Sequence, residues 1–167
     1  MAANNVDYNG PGVWNIADGQ RNIDLDGSIG TADDSGTLSQ TFDTIAGQSY
    51  LVTFQLSGNP AGGPLVKQVQ VSASDSSQTF DYDIQTILST NLPFDITYEQ
   101  EEFPFTAVNS STTLSFASLT YLTGDTGFGP IIDNVSVSAV PEPASMSVVT
   151  VAGFGLGLRR RRVKQII

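Results

Sequence analysis

The sequence predicts an all-β protein, an antiparallel sandwich of two sheets followed by a short hydrophobic helix at the C-terminus. Three observations favour this class. About nine short segments alternate apolar and polar side chains, turn residues separate them at spacings of roughly 8 to 12 residues, and almost no segment of the body has helical periodicity. A period of two gives each strand one apolar face, and two such faces bury each other in a sandwich.

The strands follow one another closely along the chain. Trp14 lies in the first candidate, which follows a turn cluster of glycine and proline. The predicted strands, in chain order, are Val13–Ile16, Asn22–Asp26, Thr37–Phe42, Tyr50–Leu56, Val66–Ala73, Gln78–Asp83, Phe103–Ala107, Thr112–Leu119 and Ile131–Ser138. The interval between the sixth and seventh strands predicts a short helical turn before Pro93.

Two of these strands flank a short turn and predict a hairpin. The turn is Ala46–Gln48, and alternating strands precede and follow it at Thr37–Phe42 and Tyr50–Leu56. Strands joined by a short turn commonly pair antiparallel. We therefore expect these two strands to be neighbours in one sheet.

The inward-facing positions of the strands predict the hydrophobic core. In the second strand, alternation puts Ile23 and Leu25 on one face and the acidic Asp24 and Asp26 on the other. The same reasoning gives the full predicted core, which is Ile23, Leu25, Phe42, Tyr50, Val52, Phe54, Val69, Val71, Phe105, Leu114, Phe116, Val135 and Val137.

Composition excludes several kinds of site. The chain has no cysteine and no histidine, so it has no disulfide, no thiol nucleophile and no imidazole general base. Zinc is disfavoured for the same reason, since its preferred ligands are these two residues. A domain of this length without disulfides depends on its core for stability.

The charges are distributed unevenly. The chain has 167 residues and a formal net charge of -10, yet Arg21 and Lys67 are the only basic residues before Arg159. An anionic body repels the phosphate backbone of nucleic acids, so we expect no nucleic-acid partner. Such a surface suits an extracellular protein and divalent cations.

The C-terminal segment has three parts in a fixed order. A proline-rich hinge opens it, made of Val140, Pro141, Glu142 and Pro143. The apolar run at 146–158 is shorter than the roughly 20 residues that span a hydrocarbon core. Four arginines, which are expected to stop transfer across the membrane, then follow as Arg159, Arg160, Arg161 and Arg162.

This order of hinge, apolar run and arginines resembles a PEP-CTERM sorting tail, found on exported proteins of exopolysaccharide-producing Gram-negative bacteria. The resemblance implies that an exosortase, an inner-membrane cysteine transpeptidase, recognises the tail and cuts at or near the motif. It also implies transient contact with the inner membrane and delivery of the body to the cell surface or outside the cell. The alternative is an ordinary tail anchor that is not cut.

The N-terminus does not match this export route. Residues 1–7 have neither a basic nor an apolar region, so they are not a signal peptide. We expect the real start to lie upstream, so that a signal peptide and a first strand precede these residues; the alternative is the non-exported product of a pseudogene. The predicted organisation is a remnant of the N-terminal part of the domain at 1–17, a β-sandwich at 18–139 and the tail at 140–167.

Several motifs of the body resemble the choice-of-anchor C family. They are Leu25-Asp-Gly27, Ser39-Gln-Thr-Phe42, Ala46-Gly-Gln-Ser-Tyr50, Thr53 to Pro60, Gly62-Gly-Pro64 and Gly127 to Val135. The resemblance implies a galactose-binding-like jelly roll, related to carbohydrate-binding modules and to plant cell-wall proteins of a domain of unknown function. The sequence departs from the family at Leu92-Pro-Phe94, where the family has a tryptophan.

Calcium is the one cofactor that the sequence suggests. Asp133 is similar to the position at which jelly-roll sugar-binding modules bind structural calcium, and Asp18 lies at a turn before the first full strand. Calcium takes roughly 6 to 8 oxygen ligands, carboxylates among them. The alternative is that Asp133 and Asn134 satisfy backbone donors at a loop end.

Sugar recognition needs an aromatic platform beside amide and carboxylate groups. The candidate aromatic residues are Trp14, Tyr82, Tyr98, Tyr121 and Phe128, and Asn59 is a candidate amide that resembles a family motif residue. Each has a structural alternative, because most aromatic residues of a sandwich form its core and Asn59 precedes a proline in a turn.

These observations predict a non-enzymatic exported protein that associates with exopolysaccharide. A purely structural matrix protein without sugar binding is one alternative. A glycoside hydrolase is another, since Asp81 and Asp83 share one face of a strand roughly 6.6 Å apart, and Glu102 offers a further carboxylate. Paired carboxylates at about that separation occur in inverting glycosidases.

Overall fold

Two antiparallel β-sheets pack face to face in the computed structural model, which describes residues 5–27, 36–88, 95–120 and 127–141. The strands are β1 (Asp7–Asn9), β2 (Asn22–Asp24), β3 (Thr37–Asp43), β4 (Ser49–Gly58), β5 (Val66–Ala73), β6 (Ser76–Asp83), β7 (Glu99–Thr106), β8 (Ser111–Ser118) and β9 (Pro130–Ala139). A single helical turn, α1 (Gln85–Leu88), follows β6. The predicted all-β sandwich is therefore confirmed for the described residues.

The two sheets have different strand orders. One has five strands in the order β1-β2-β9-β4-β7, and the other has four in the order β3-β8-β5-β6. Every strand pairing is antiparallel. The last strand, β9, lies in the middle of the five-stranded sheet, so residues close to the tail are part of the fold.

Eight of the nine predicted strands overlap an observed strand, and the first prediction is wrong. The segment Val13–Ile16 forms a turn and a bend, and the strand lies earlier, at Asp7–Asn9. Gly12 has a φ of 96°, which turns the chain just before Val13. Four alternating residues do not distinguish a strand from a loop in which a tryptophan packs against the core.

The predicted hairpin is also wrong. Strand β3 pairs with β8 throughout its length, whereas β4 pairs with β7 and β9 in the other sheet. The connection at 44–48 therefore crosses from one sheet to the other. Strand β3 is an edge strand of its own sheet, and a short connection along the chain does not require the strands that it joins to pair.

The core lies between the sheets, and most of its predicted members are confirmed. Val52, Val69 and Val71 are fully buried, while Ile23, Phe42 and Val137 are partly buried and pack against the core. The prediction is wrong for Val135, which is 41% exposed. Its side chain lines an open cleft with Leu38 of β3, and β3 is the last strand of its sheet, so the cover over Val135 is incomplete.

The tail lies mostly outside the described residues. Val140 and Pro141 are described, whereas the predicted C-terminal helix, Glu142, Pro143 and the four arginines are not. Among the residues that are described, no helix has the length and apolar character needed to cross a membrane.

Candidate functional site

The outward side of the five-stranded sheet is polar. Along β4, Val52, Phe54 and Leu56 are buried in the core, and the alternate residues Thr53 and Gln55 point to the other side and are partly exposed. This alternation places a surface of hydroxyl and amide groups directly behind the core.

The strand register extends this surface into two rows that cross β7, β4 and β9. Residues directly opposite each other in antiparallel strands project to the same side of the sheet. The first row is Glu102, Thr53 and Ser136. The second row is Gln100, Gln55 and Asp133. We call these six residues the polar face.

Tyr98 closes one end of the polar face. It directly precedes β7, yet its hydroxyl accepts a hydrogen bond of 2.8 Å from Asn22 Nδ2 in β2, on the far side of β4 and β9. The same hydroxyl donates to the carbonyl of Asn15 at 3.0 Å. Burial raises the pKa of Tyr98 to about 12, so the phenol stays neutral and keeps both contacts at ordinary pH.

Two buried polar atoms lie at this end of the face. Asn22 Oδ1 and Ser57 Oγ have no hydrogen-bond partner within the part of the chain that the structure describes. Ile23 opposes Ile132, so Asn22 continues the row that contains Asp133, and Ser57 follows Gln55 on the same side of β4. An unsatisfied buried polar atom costs about 1–3 kcal/mol, which a hydrogen-bonding ligand or solvent would recover.

The edge of the face along β7 is acidic. Glu99, Glu101 and Glu102 are close together in this edge strand, and Glu102 lies on the polar face while the other two project to the opposite side. Burial, followed by the charge of Glu99, raises the pKa of Glu101. Strand β7 therefore presents carboxyl groups on both sides of the sheet.

The two predicted calcium ligands, Asp18 and Asp133, are in contact, but Asp18 contributes its backbone nitrogen and not its carboxylate. Asp133 Oδ2 accepts hydrogen bonds from the backbone nitrogens of Ala17 at 2.8 Å and Asp18 at 3.0 Å. Its Oδ1 accepts one from Asn134 N at 2.7 Å. Asp133 thus satisfies backbone donors, and no group of three or more potential metal ligands occurs among the described residues.

A second polar cluster lies where β2, β4 and β9 meet their loops. Asp24 Oδ2 accepts from Asn59 Nδ2 at 2.8 Å, and its Oδ1 accepts from the nitrogens of Asp26 at 3.0 Å and Gly129 at 3.1 Å. Burial raises the pKa of Asp24 to about 7 despite these hydrogen bonds. A Cβ atom at Gly129 would lie 2.6 Å from Asp24 Oδ1, so only glycine fits there.

Lys67 joins two loops to this end of the sandwich. The side chain is fully buried, and Nζ donates to the carbonyls of Gly62 at 2.7 Å and Phe128 at 2.6 Å. These carbonyls belong to the connections before β5 and before β9. The amine therefore holds both loops against the sheet.

The candidate ligand residues have different fates in the structure. Trp14 is half-buried and packs against the core. Tyr82 is 1% exposed, and the Tyr82 hydroxyl donates to the carbonyl of Thr97 at 2.7 Å. The Tyr82 ring is therefore not an open platform, whereas part of Trp14 remains exposed. Asn59 is buried, and its Oδ1 also accepts a hydrogen bond from Ala61 N at 2.9 Å. This contact lies within the turn, as expected if Asn59 has a structural role there. Tyr121 lies outside the described residues.

The paired acids of β6 lie on the other sheet. Asp81 Oδ1 accepts from Gln68 Nε2 at 3.0 Å, and Asp83 Oδ1 accepts from Gln85 N at 2.9 Å. Both side chains are exposed, on the opposite side of the molecule's core from the polar face.

Sequence reasoning missed the amide and hydroxyl residues of the polar face. Thr53, Gln55 and Gln100 alternate with apolar neighbours, which predicts only that they point away from the core. The sequence does show polar residues that alternate with apolar ones in the three segments that form β4, β7 and β9. Register, which the sequence did not reveal, was needed to align them.

Comparison with known proteins gives a family and a set of similar folds. The profile of a family described as "Protein of unknown function (DUF642)" matches residues 2–138. No curated protein matches the chain. Among solved structures, a family 35 carbohydrate-binding module from Clostridium thermocellum is 9% identical with a TM-score of 0.50, covering 81% of this chain and 89% of that one.

Two further solved structures match the chain at lower TM-scores. A family 35 carbohydrate-binding module from an environmental isolate is 15% identical with a TM-score of 0.45, covering 85% of this chain and 96% of its own. A structure described as "CBM4 structure and function" is 15% identical with a TM-score of 0.44, covering 78% of this chain and 81% of its own. At these identities the likeness concerns the fold.

Proposed function

The chain belongs to the DUF642 family, whose function is unknown, and on that premise we propose that it binds a polysaccharide through the polar face. The observation that carries this proposal is the alignment of Gln55 and Gln100 with Asp133 in one cross-strand row beside Tyr98. Amide and carboxylate groups in fixed positions supply the donors and acceptors that sugar hydroxyl groups require.

The fold is consistent with this role. The family 35 module of Clostridium thermocellum, a carbohydrate-binding module by description, has a similar sandwich. Shared fold does not establish shared function, so the proposal depends on the site. On the same grounds we assign the chain to the galactose-binding-like class of jelly rolls.

The proposal is tested by removing the two amides. Gln55→Ala and Gln100→Ala each delete hydrogen-bonding groups from one row and leave the buried side of the strand unchanged. Because one hydrogen bond contributes about 0.5–1.5 kcal/mol, we expect the double variant to bind roughly tenfold or more weakly. The measurement is calorimetric titration with the exopolysaccharide of the host and with neutral glycans.

Gln70→Ala is the matched control. Gln70 is an exposed glutamine on β5 in the other sheet, so its loss leaves the polar face intact and binding unchanged. If the wild-type protein gives flat titrations with every glycan, the chain is a structural matrix protein without sugar binding. If the control variant loses as much affinity as the double variant, the ligand binds elsewhere.

We further propose that this role is binding without hydrolysis. The chain has no histidine or cysteine, and Asp81 and Asp83 lie on the sheet that does not carry the polar face. Incubation of the protein with its bound polysaccharide should release no new reducing ends. Release that disappears in Asp81→Asn would assign hydrolysis to β6.

We propose that the C-terminal segment directs export and sorting to the cell surface. Its support is the order of proline-rich motif, apolar run and arginines in the sequence. The position of the motif is also suitable. Val140 N donates to Ser49 O at 2.9 Å, and Gln48 Nε2 donates to Val140 O at 2.6 Å, so the first residue of the motif is held by the sandwich and Pro141 follows it directly.

Intact mass and cell fractionation test the sorting proposal. In a host that contains the exosortase, we expect a form that ends near Pro141 and lies outside the inner membrane. A host that lacks the enzyme should retain the uncut protein. An uncut form in the inner membrane of both hosts would identify a plain tail anchor.

A further inference from the structure

We infer that the polysaccharide recognised by the polar face carries free amino groups, as partly deacetylated amino sugars do. This inference rests on the carbohydrate-binding function proposed above and specifies its ligand. It follows from three features of the face, which are its negative charge, the lack of available cations and an unsatisfied hydrogen-bond acceptor at its Tyr98 end.

The negative charge lies on both flanks of the face. Glu102 projects from β7 beside Thr53, and Asp133 projects from β9 beside Gln55. Glu99 and Glu101 lie in the same edge strand as Glu102 but project to the other side of the sheet, so they add charge to this edge and not to the face itself. An acidic polysaccharide, such as one built from uronic acids, would bring like charges together on this surface, which lowers affinity.

The cations of the described residues are not placed to offset this charge. The body contains two, Arg21 and Lys67. Lys67 is fully buried with its amine on the carbonyls of Gly62 and Phe128. The Arg21 guanidinium lies over the ring of Tyr8, 4.7 Å from its centroid, and Tyr8 belongs to β1 at the far edge of the sheet.

A buried acceptor also lies at the Tyr98 end of the face. Asn22 Oδ1 is a buried acceptor without a partner among the described residues, and the carboxyl group of Glu102 is exposed. An ammonium group has three donors and no acceptor. It therefore matches a surface that has acceptors to satisfy, and hydrogen bonds between charged partners are the stronger kind.

The test compares hexasaccharides that are positively charged, neutral and negatively charged. The full chain is titrated with a glucosamine hexamer, an N-acetylglucosamine hexamer and a galacturonate hexamer at about pH 6, where aliphatic amines are protonated. We expect the glucosamine hexamer to bind roughly tenfold more tightly than the acetylated one. We also expect the preference to shrink at about 0.5 M salt, where screening is strong.

Two variants and one non-sugar probe locate the effect. Glu102→Gln should remove most of the preference for the amine, while Asp75→Asn, at an exposed turn of the other sheet, should retain it. Hexalysine should bind weakly, because it has the charge without the sugar. Equal affinity for hexalysine and for the glucosamine hexamer would show a general attraction to the acidic body and overturn the inference.

The remaining outcomes separate this inference from the function on which it rests. Equal or tighter binding of the acetylated or galacturonate hexamer would overturn the charge preference and leave carbohydrate binding established. If none of the three sugars binds and the host polysaccharide does not bind either, then the proposed function fails and the amine preference fails with it.

Discussion

Asp24 shows at the scale of one residue how burial competes with hydrogen bonding. Three donors, from Asn59, Asp26 and Gly129, favour its charged form. Removal from water favours the neutral form, and this effect is larger, since the pKa is raised to about 7. The nearby charge of Asp26 adds to the increase.

The raised pKa predicts a pH dependence of stability. In the folded state the pKa of Asp24 is about 7, against 3.8 for the free group. Its stabilising contribution is therefore fully present below pH 3.8 and is lost as the pH rises through about 7. We expect the free energy of unfolding to fall over this window in the wild type, and to fall less in Asp24→Asn.

Urea unfolding at a series of pH values measures this difference. Asp43→Asn is the control, because it also removes one carboxyl group but at an exposed position in the other sheet. Identical pH profiles for wild type and Asp24→Asn would mean that Asp24 does not titrate in this window.

Single residues mark the limit of what alternation could predict. In β5 the buried positions are Lys67, Val69, Val71 and Ala73, and the predicted core correctly includes Val69 and Val71. Lys67 lies on the same side of the strand as these residues. From the sequence alone, a lysine at such a position usually indicates that the strand end is exposed to solvent. Its burial depends on carbonyls from two distant loops, which no local pattern reveals.

At the scale of the element, β9 contains a bulge that shapes the polar face. Asp133 opposes Gln55 and Ser136 opposes Thr53, so two residues of β9, Asn134 and Val135, face Phe54 alone. Asn134 has a φ of 48°, a left-handed conformation in which asparagine is enriched. The extra residue keeps Asp133 and Ser136 on the same side of the sheet.

The bulge predicts a specific order of stability among variants. A β-branched residue at φ of 48° is strained, and the left-handed conformation costs roughly 1–2 kcal/mol for ordinary residues. We expect Asn134→Val to lower the free energy of unfolding by about that amount and Asn134→Gly to change it little. Urea unfolding of each variant measures the effect.

Ser136→Val is the control for the Asn134 variants. It introduces the same side chain two residues later in β9, at an exposed position that pairs regularly with Thr53. If Ser136→Val costs as much as Asn134→Val, then the cost comes from exposing valine, and the left-handed backbone is not its source.

Strand positions were predictable from the sequence, but strand partners were not. The period of two located β3, β4 and β5 to within a few residues, because in each strand one side is less exposed than the other. The predicted pairing of β3 with β4 failed because proximity along the chain does not distinguish pairing in one sheet from packing across two. The polar face depends on the pairing of β4 with β7 and β9, so it could not be predicted either.

At the scale of the whole molecule, β9 connects the core to the proposed sorting motif. Strand β9 pairs with β4 along almost all of its length, and among the described residues Val140 is the last that hydrogen-bonds to the sandwich. Cleavage near Pro141 would therefore leave every one of these contacts in place. The proposed sorting step and the stability of the body are compatible for this reason.

Two truncated chains test this boundary. We expect a chain ending at Pro141 to melt at the same temperature as the full chain. A chain ending at Val135 loses the pairing of residues 136–139 with β4 and the contacts of Val140, so its melting temperature should fall by roughly 10 °C or more. Thermal melting by circular dichroism in one buffer compares all three.

If the chain ending at Pro141 melts well below the full chain, the tail stabilises the sandwich, and cutting there would release a weakened body. That outcome would argue against cleavage at the motif as a simple release step, because the sandwich would then depend on the segment that sorting removes.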